Sequence, residues 1–191
     1  MNLNSKLNQL VFYFPPNFWG KEITDQYKGF YNQLMLPYDN IDDFVLSTLQ
    51  SVSFPKFEIG TTQQIRNRGA EQDYKGAGPL KDSIERKFTL TFKSTEGFMN
   101  YMLLWNNAIN YLDFKNKTQY FDQMILGILN NEGYLMEMIT FKKVIFKGIS
   151  QFDLNHSIAE PGFNKFTVDF IYNDWDIDIM FDKMLNLYSG I

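Results

Sequence analysis

Between Asp82 and Leu112 the hydrophobic period of this chain changes once, and the change limits what the rest can be. Lys87-Phe88-Thr89-Leu90-Thr91-Phe92-Lys93 alternates apolar and polar residues, the pattern of a strand with one face buried and one face wet. Immediately afterwards Phe98, Met102, Trp105, Ile109 and Leu112 recur at helical spacing, which predicts a helix docking through a broad apolar stripe. Most of the remaining apolar runs read as strands. The expected fold class is therefore mainly β (α+β): an antiparallel β-sandwich or barrel with one flanking amphipathic helix.

The strands can be placed. Gln9–Phe14 reads as a first strand stopped by Pro15-Pro16, since proline cannot donate to a ladder. Asn17–Tyr38 carries aromatics at irregular spacing and reads as a loop or short helix. Asp39-Asn40 looks like a cap for one or two helical turns through Ile41, Phe44, Val45 and Leu49. Ser51–Ile59 alternates, with Pro55 pointing to an edge or a bulge. Gln123–Leu129 and Tyr134–Phe141 flank the turn Asn130-Asn131-Glu132-Gly133 as a hairpin, and Lys142–Ile149 continues or follows the second arm. In Lys165–Tyr172, Phe166, Val168, Phe170 and Tyr172 face one way; with Phe88, Leu90 and Phe92 they are the expected sheet core. Ile179, Met180, Met184 and Leu187 predict a terminal helix in Asp176–Ile191.

At 191 residues a single domain spanning 1–191 is the natural prior, with 178–191 as an extension, and such a chain buries about 70% of its unfolded surface. The aromatic share of 17%, with 19 Phe, 11 Tyr and 3 Trp, suits sheets and large subunit contacts. A formal charge of −4 argues against gripping nucleic acid through clustered Lys and Arg. No cysteine is present, which removes disulfides, thiolate chemistry and cysteine–zinc sites. The first residues do not read as a signal peptide, and no run reaches the roughly 20 apolar residues of a membrane span. The chain reads as soluble.

No catalytic constellation emerges. Asp174, Asp176 and Asp178 have the opening spacing of a calcium loop, but Ile179 and Leu185 stand where glycine and a bidentate glutamate are needed. His156, the only histidine, has Asp153 and Glu160 near it in sequence but no nucleophile motif. No phosphate-cradling glycine loop is present. The chain reads as a non-enzyme without cofactor or metal.

Thr61–Lys81 breaks the pattern. It is polar, lacks an apolar period, and mixes Arg66, Arg68, Lys75 and Lys81 with Glu71 and Asp73. So long a loop without structure of its own is mostly functional or flexible; its balanced charges suit a solvated loop, or a contact with a neighbouring molecule whose register is set by complementary charges.

The order of these pieces resembles the tail tube proteins of long-tailed bacteriophages, in particular the contractile-tail type. The resemblance runs from about Leu10 to Asp176. Its most specific segments are Ile145-Phe146-Lys147-Gly148-Ile149 followed by Gln151-Phe152-Asp153-Leu154, and the last strand running into Tyr172-Asn173-Asp174-Trp175. Asn17–Tyr38 and Asp178–Ile191 depart from the minimal pattern. The resemblance implies a virion protein, made in the host cytoplasm, whose copies form hexameric rings that stack into a tube. Its partners would be further copies of itself, with tail sheath and baseplate proteins, and DNA would pass during ejection without sequence-specific binding. Six copies at −4 give about −24 per ring, which would repel phosphate from the bore. Closely related roles are a baseplate or tube-initiating protein and an injection-system tube subunit. A monomeric β-rich ligand-binding module is the reading of another class.

Overall fold

The computed structural model describes residues 10–54, 61–64, 74–77, 86–112, 120–130, 133–151 and 164–179, with the backbone alone at 61–64, 74–77 and 112. Nine strands and three α-helices are described: β1 Leu10–Tyr13, α1 Lys21–Leu34, α2 Ile41–Leu46, β2 Leu49–Ser53, β3 Thr61–Gln64, β4 Tyr74–Ala77, β5 Lys87–Lys93, α3 Met99–Leu112, β6 Phe121–Leu129, β7 Leu135–Ile149, β8 Lys165–Ile171 and β9 Asp174–Ile179. The fold is mainly β and antiparallel, as the alternation implied. Of the three α-helices among the described residues, α3 is the expected flanking helix, α2 the short one expected after Asp39-Asn40, and α1 forms in the segment read as a loop or short helix.

Seven strands form one sheet in the order β1-β6-β7-β8-β5-β2, with β9 also on β7. The alternating strands lie side by side: Phe88 pairs with Phe170, Leu90 with Val168 and Phe92 with Phe166. These six are buried, as is Tyr172. Aromatic rings then stack across strands, with Phe88 4.3 Å from Phe141 and 5.2 Å from Phe170 between centroids. Such contacts add about 0.5–1.5 kcal/mol per pair beyond the area they bury.

The sheet turns a corner along a line that crosses three strands. On β6, Phe121 and Met124 are buried while Asp122 and Gln123 face out. Phe141 and Val144 on β7 do the same around Lys142 and Lys143. Tyr172, buried, and Trp175, half-buried, repeat it around the exposed Asn173 and Asp174. Phe121 pairs with Val144, and Phe141 with both Met124 and Trp175, so the three phase shifts are in register. Lys143 adopts a positive φ of 50° there, a backbone conformation that bends a strand and that L-residues rarely take. The bend divides the sheet into two four-stranded rows that share β7: β1-β6-β7-β9 and β7-β8-β5-β2.

The helices close the core. In the segment read as a loop or short helix, Ile23 and Tyr27 stand four residues apart and are buried, which gives α1 a narrow docking stripe. The Tyr27 hydroxyl donates to the Tyr38 carbonyl at 2.5 Å; burial first, then the nearby Asp39, pushes its pKa up to about 12. Asn40 caps α2, its side chain accepting from the Asp42 amide at 3.1 Å, as the sequence suggested.

Helix α3 corrects an expectation. Met102, Trp105 and Ile109 do not dock it: they are 54%, 45% and 51% exposed, and Phe98 is only half-buried. Leu103, Leu104 and Ala108 meet the core instead, with Asn100 and Asn107 buried beside them. Periodicity located the helix but chose the stripe with the larger side chains. The terminal-helix expectation is also corrected as far as Ile179. Ile177 and Ile179 lie in β9, opposite Ile139 and Glu137 of β7, because the alternation of β8 simply resumes after the corner. Residues 180–191 lie outside the described residues. No described helix is long and apolar enough to cross a membrane.

Candidate self-association surface

A sheet must do something with its edges, since an unpaired ladder of N–H and C=O groups invites another strand. Among the described residues each row leaves two. In the row β1-β6-β7-β9, β1 pairs only with β6 and β9 only with β7. In the row β7-β8-β5-β2, β2 pairs only with β5, and Ile145–Ile149 of β7 pairs only with β8, because β6 begins at Phe121 opposite Val144.

The outward faces of the two rows differ in charge. On the second row, Ser51 and Ser53 oppose Thr91 and Thr89, Thr91 opposes Thr167, and Lys93 opposes Lys165. Asp169 accepts from the Thr89 hydroxyl at 2.6 Å and meets the Lys87 ammonium at 2.9 Å. Partial burial pushes the Asp169 carboxyl up, but the Thr89 hydrogen bond and the Lys87 and Lys147 charges outweigh it and hold the group below the usual carboxylate range. Lysines therefore outnumber the acid on this face. The first row carries Asp174, Asp176 and Asp178 along β9. Lys142 pairs with Asp176, and that hydrogen bond, with the aspartate charges beside it, raises the Lys142 pKa.

The polar segment expected as an unstructured loop contains two strands. Thr61–Gln64 and Tyr74–Ala77 pair antiparallel, Gln63 opposite Lys75, as a two-stranded sheet separate from the seven-stranded one. Arg66, Arg68, Glu71, Asp73 and Lys81 lie outside the described residues. So do Asp153, His156 and Glu160. Asp174, Asp176 and Asp178, weighed as a calcium loop, alternate along a strand and do not converge.

The buried polar pair that sequence reasoning missed is Asn100 and Asn107. Asn100 donates to the Thr48 hydroxyl at 2.9 Å and the Lys93 carbonyl at 2.8 Å, and accepts from the Thr95 amide at 3.1 Å. Asn107 donates to the Phe18 carbonyl at 2.9 Å. The two asparagines pin α3 to β5 and to the segment before α1. Their seven-residue spacing on an otherwise apolar stripe was the available signal.

No family model matches this sequence, and no curated protein matches it. Solved structures do resemble the chain. A chain of the anti-feeding prophage (AFP) baseplate, solved by cryo-EM and 6-fold symmetrised, is similar at 11% identity and TM-score 0.44, over 69% of this chain and 78% of that one. The AFP tube-terminating cap is similar at 10% identity and TM-score 0.45, over 69% and 80%. The sheath/tube terminator of the PVC extracellular contractile injection system, in its extended state, is similar at 10% identity and TM-score 0.45, over 68% and 84%.

Proposed function

We propose that this chain is a structural subunit whose copies form rings, hexameric on the sequence resemblance, that stack into the tail tube of a phage and let DNA pass during ejection. One observation carries the reading. Among the described residues the β3–β4 ribbon is a two-stranded sheet with no ladder to the main sheet, and a two-stranded ribbon is at best marginally stable in water by itself. A neighbouring copy gives it something to lie on. The open edges of both rows call for the same thing, since a ring closes edges that would otherwise aggregate. The resemblance of Ile145–Leu154 and Lys165–Trp175 to tail tube proteins agrees with this, and tail sheath and baseplate proteins are the further partners it implies. Residues 61–81 are then the arm that reaches an adjacent ring or subunit.

Sedimentation and electron microscopy of the purified protein over a rising concentration series test the reading. Rings or tubes are expected. The same protein lacking residues 61–81 should keep its circular-dichroism spectrum but form shorter stacks. A monomer at every concentration, or a deletion variant that stacks like the intact chain, overturns the proposal.

A further inference from the structure

The inward face of the first row runs past the core that it covers. Away from the corner, burial fades along every strand. On β6, Met124 and Leu126 are buried and Ile128 is half-buried; on β7, Phe141 and Ile139 are buried and Glu137 is half-buried. On β1, Phe12 is buried and Leu10 half-buried, and on β9 the same face passes from half-buried Trp175 to Ile177 and Ile179, 47% and 60% exposed. Residues paired across an antiparallel ladder share a face. Leu10 pairs with Ile128, Ile128 with Glu137 and Glu137 with Ile179, so these four stand in one line across the sheet. With Ile177 they form an apolar ledge around one carboxylate. Among the described residues Glu137 takes part in no ion pair.

The chain itself continues from this ledge. β9 ends on it, at Ile179, and residues 180–191 follow outside the described residues. In that segment Asp182 is of the type that caps a helix. After it Met184, Leu185, Leu187, Tyr188 and Ile191 fall on one side of a helix, with Asn186 and Ser189 on the other and Lys183 at the border. A helix over 183–191 is about 14 Å long, and four strands about 4.8 Å apart are about 14 Å across. We infer that residues 183–191 turn back from β9 and lie across the ledge as an amphipathic helix. Leu187 and Tyr188 then cover Ile128 and Ile177, and Lys183 meets Glu137 where the chain recrosses β7. Residues 1–9 reach the ledge from its other end but bring only Met1, Leu3 and Leu7 as apolar residues. A second copy competes from solution, whereas a segment tethered at Ile179 is held near the ledge at an effective concentration of order millimolar. The docking is within one copy, so its failure leaves the ring reading untouched.

The absence of cysteine makes this directly measurable. Ile177→Cys is placed in the full chain and in a chain lacking residues 183–191, and its labelling by a maleimide is timed. Labelling should be at least about tenfold faster without the segment, because the thiol no longer waits for local opening. Leu187→Asp/Tyr188→Asp in the full chain should speed it likewise, and gives the answer if circular dichroism shows that the deletion variant does not fold. Tyr13→Cys, on the outward face of the same row, should label at one rate in all three backgrounds. Glu137→Cys/Lys183→Cys should oxidise within one chain, losing both thiols while still running at 22.5 kDa on a non-reducing gel. Equal Ile177→Cys rates with the segment intact, deleted and doubly substituted overturn the inference. So does a disulfide formed only between chains, which would give the ledge to a second copy. Faster labelling on loss of residues 1–9, with no change on loss of 183–191, also overturns it.

Discussion

Asn107 and Gly20 are 87 residues apart in sequence, yet the Gly20 amide donates to Asn107 Oδ1 at 3.1 Å. Gly20 is the N-cap of α1 and has no side chain to cap with. The asparagine on α3 thus completes the start of another helix, and its Nδ2 binds the Phe18 carbonyl two residues earlier. Asn107→Ala leaves one buried and one part-buried backbone group without their partner, at a cost of about 2–4 kcal/mol. In a chain of this size that is a fall in melting temperature of about 5–12 °C. A variant that melts with the wild type would show that the bonds are not what holds α1 to α3.

Helix α3 yields a paired prediction. Leu104 is 1% exposed and Trp105 is 45% exposed, although Trp105 is by far the larger and its ring stacks on Tyr101 at 5.9 Å. Leu104→Ala should cost about 2–4 kcal/mol and Trp105→Ala about 1 kcal/mol or less. Chemical denaturation of the two variants decides which stripe faces the core.

That contrast shows what the sequence made legible. Strict alternation over Lys87–Lys93 and again over Lys165–Phe170 left little choice of structure or of buried face. The corner was visible too, as two polar residues between apolar ones in Phe121–Met124, Phe141–Val144 and Tyr172–Trp175, but it gains meaning only when the three motifs prove to be in register. The docking stripe of α3 was not legible, because Asn100 and Asn107 count as polar until the distant carbonyls that satisfy them are known. The β3–β4 ribbon lacks an apolar alternation, so period alone could not find it.

Lys143 is where the corner stores strain. A lysine at φ 50° occupies a region that glycine enters freely and β-branched residues avoid. Lys143→Gly should therefore be neutral or stabilising by up to about 1 kcal/mol, and Lys143→Val destabilising by about 1–2 kcal/mol. Equal stability for the two would mean that the bend relaxes without cost.

Among the described residues, the Tyr172 hydroxyl is a buried polar atom without a hydrogen-bond partner. Burial raises its pKa, with the Arg86 charge working against the shift. Removing an unsatisfied hydroxyl removes a desolvation cost, so Tyr172→Phe should leave stability unchanged or raise it by about 1 kcal/mol. A loss of more than about 1 kcal/mol in urea titration would reveal a bond to that hydroxyl.

Asp169 gives the sheet a pH dependence of known sign. Its folded pKa lies below the ordinary value of 3.8, so the unfolded chain takes up the proton first as pH falls. The Thr89 and Lys87 contacts therefore stabilise fully well above 3.8, and their contribution fades as pH drops through that value toward the folded one. The side chains of Lys87 and Asp169 are 30% and 29% exposed, so solvent screening limits the effect to about 1 kcal/mol. Wild type should exceed Asp169→Asn by a constant margin between pH 5 and pH 7, and the margin should shrink below pH 4. Denaturant midpoints measured at pH 7, 5, 4 and 3 check this. A margin that persists undiminished at pH 3 would mean that the carboxylate charge is not what holds Lys87 and Thr89 in place.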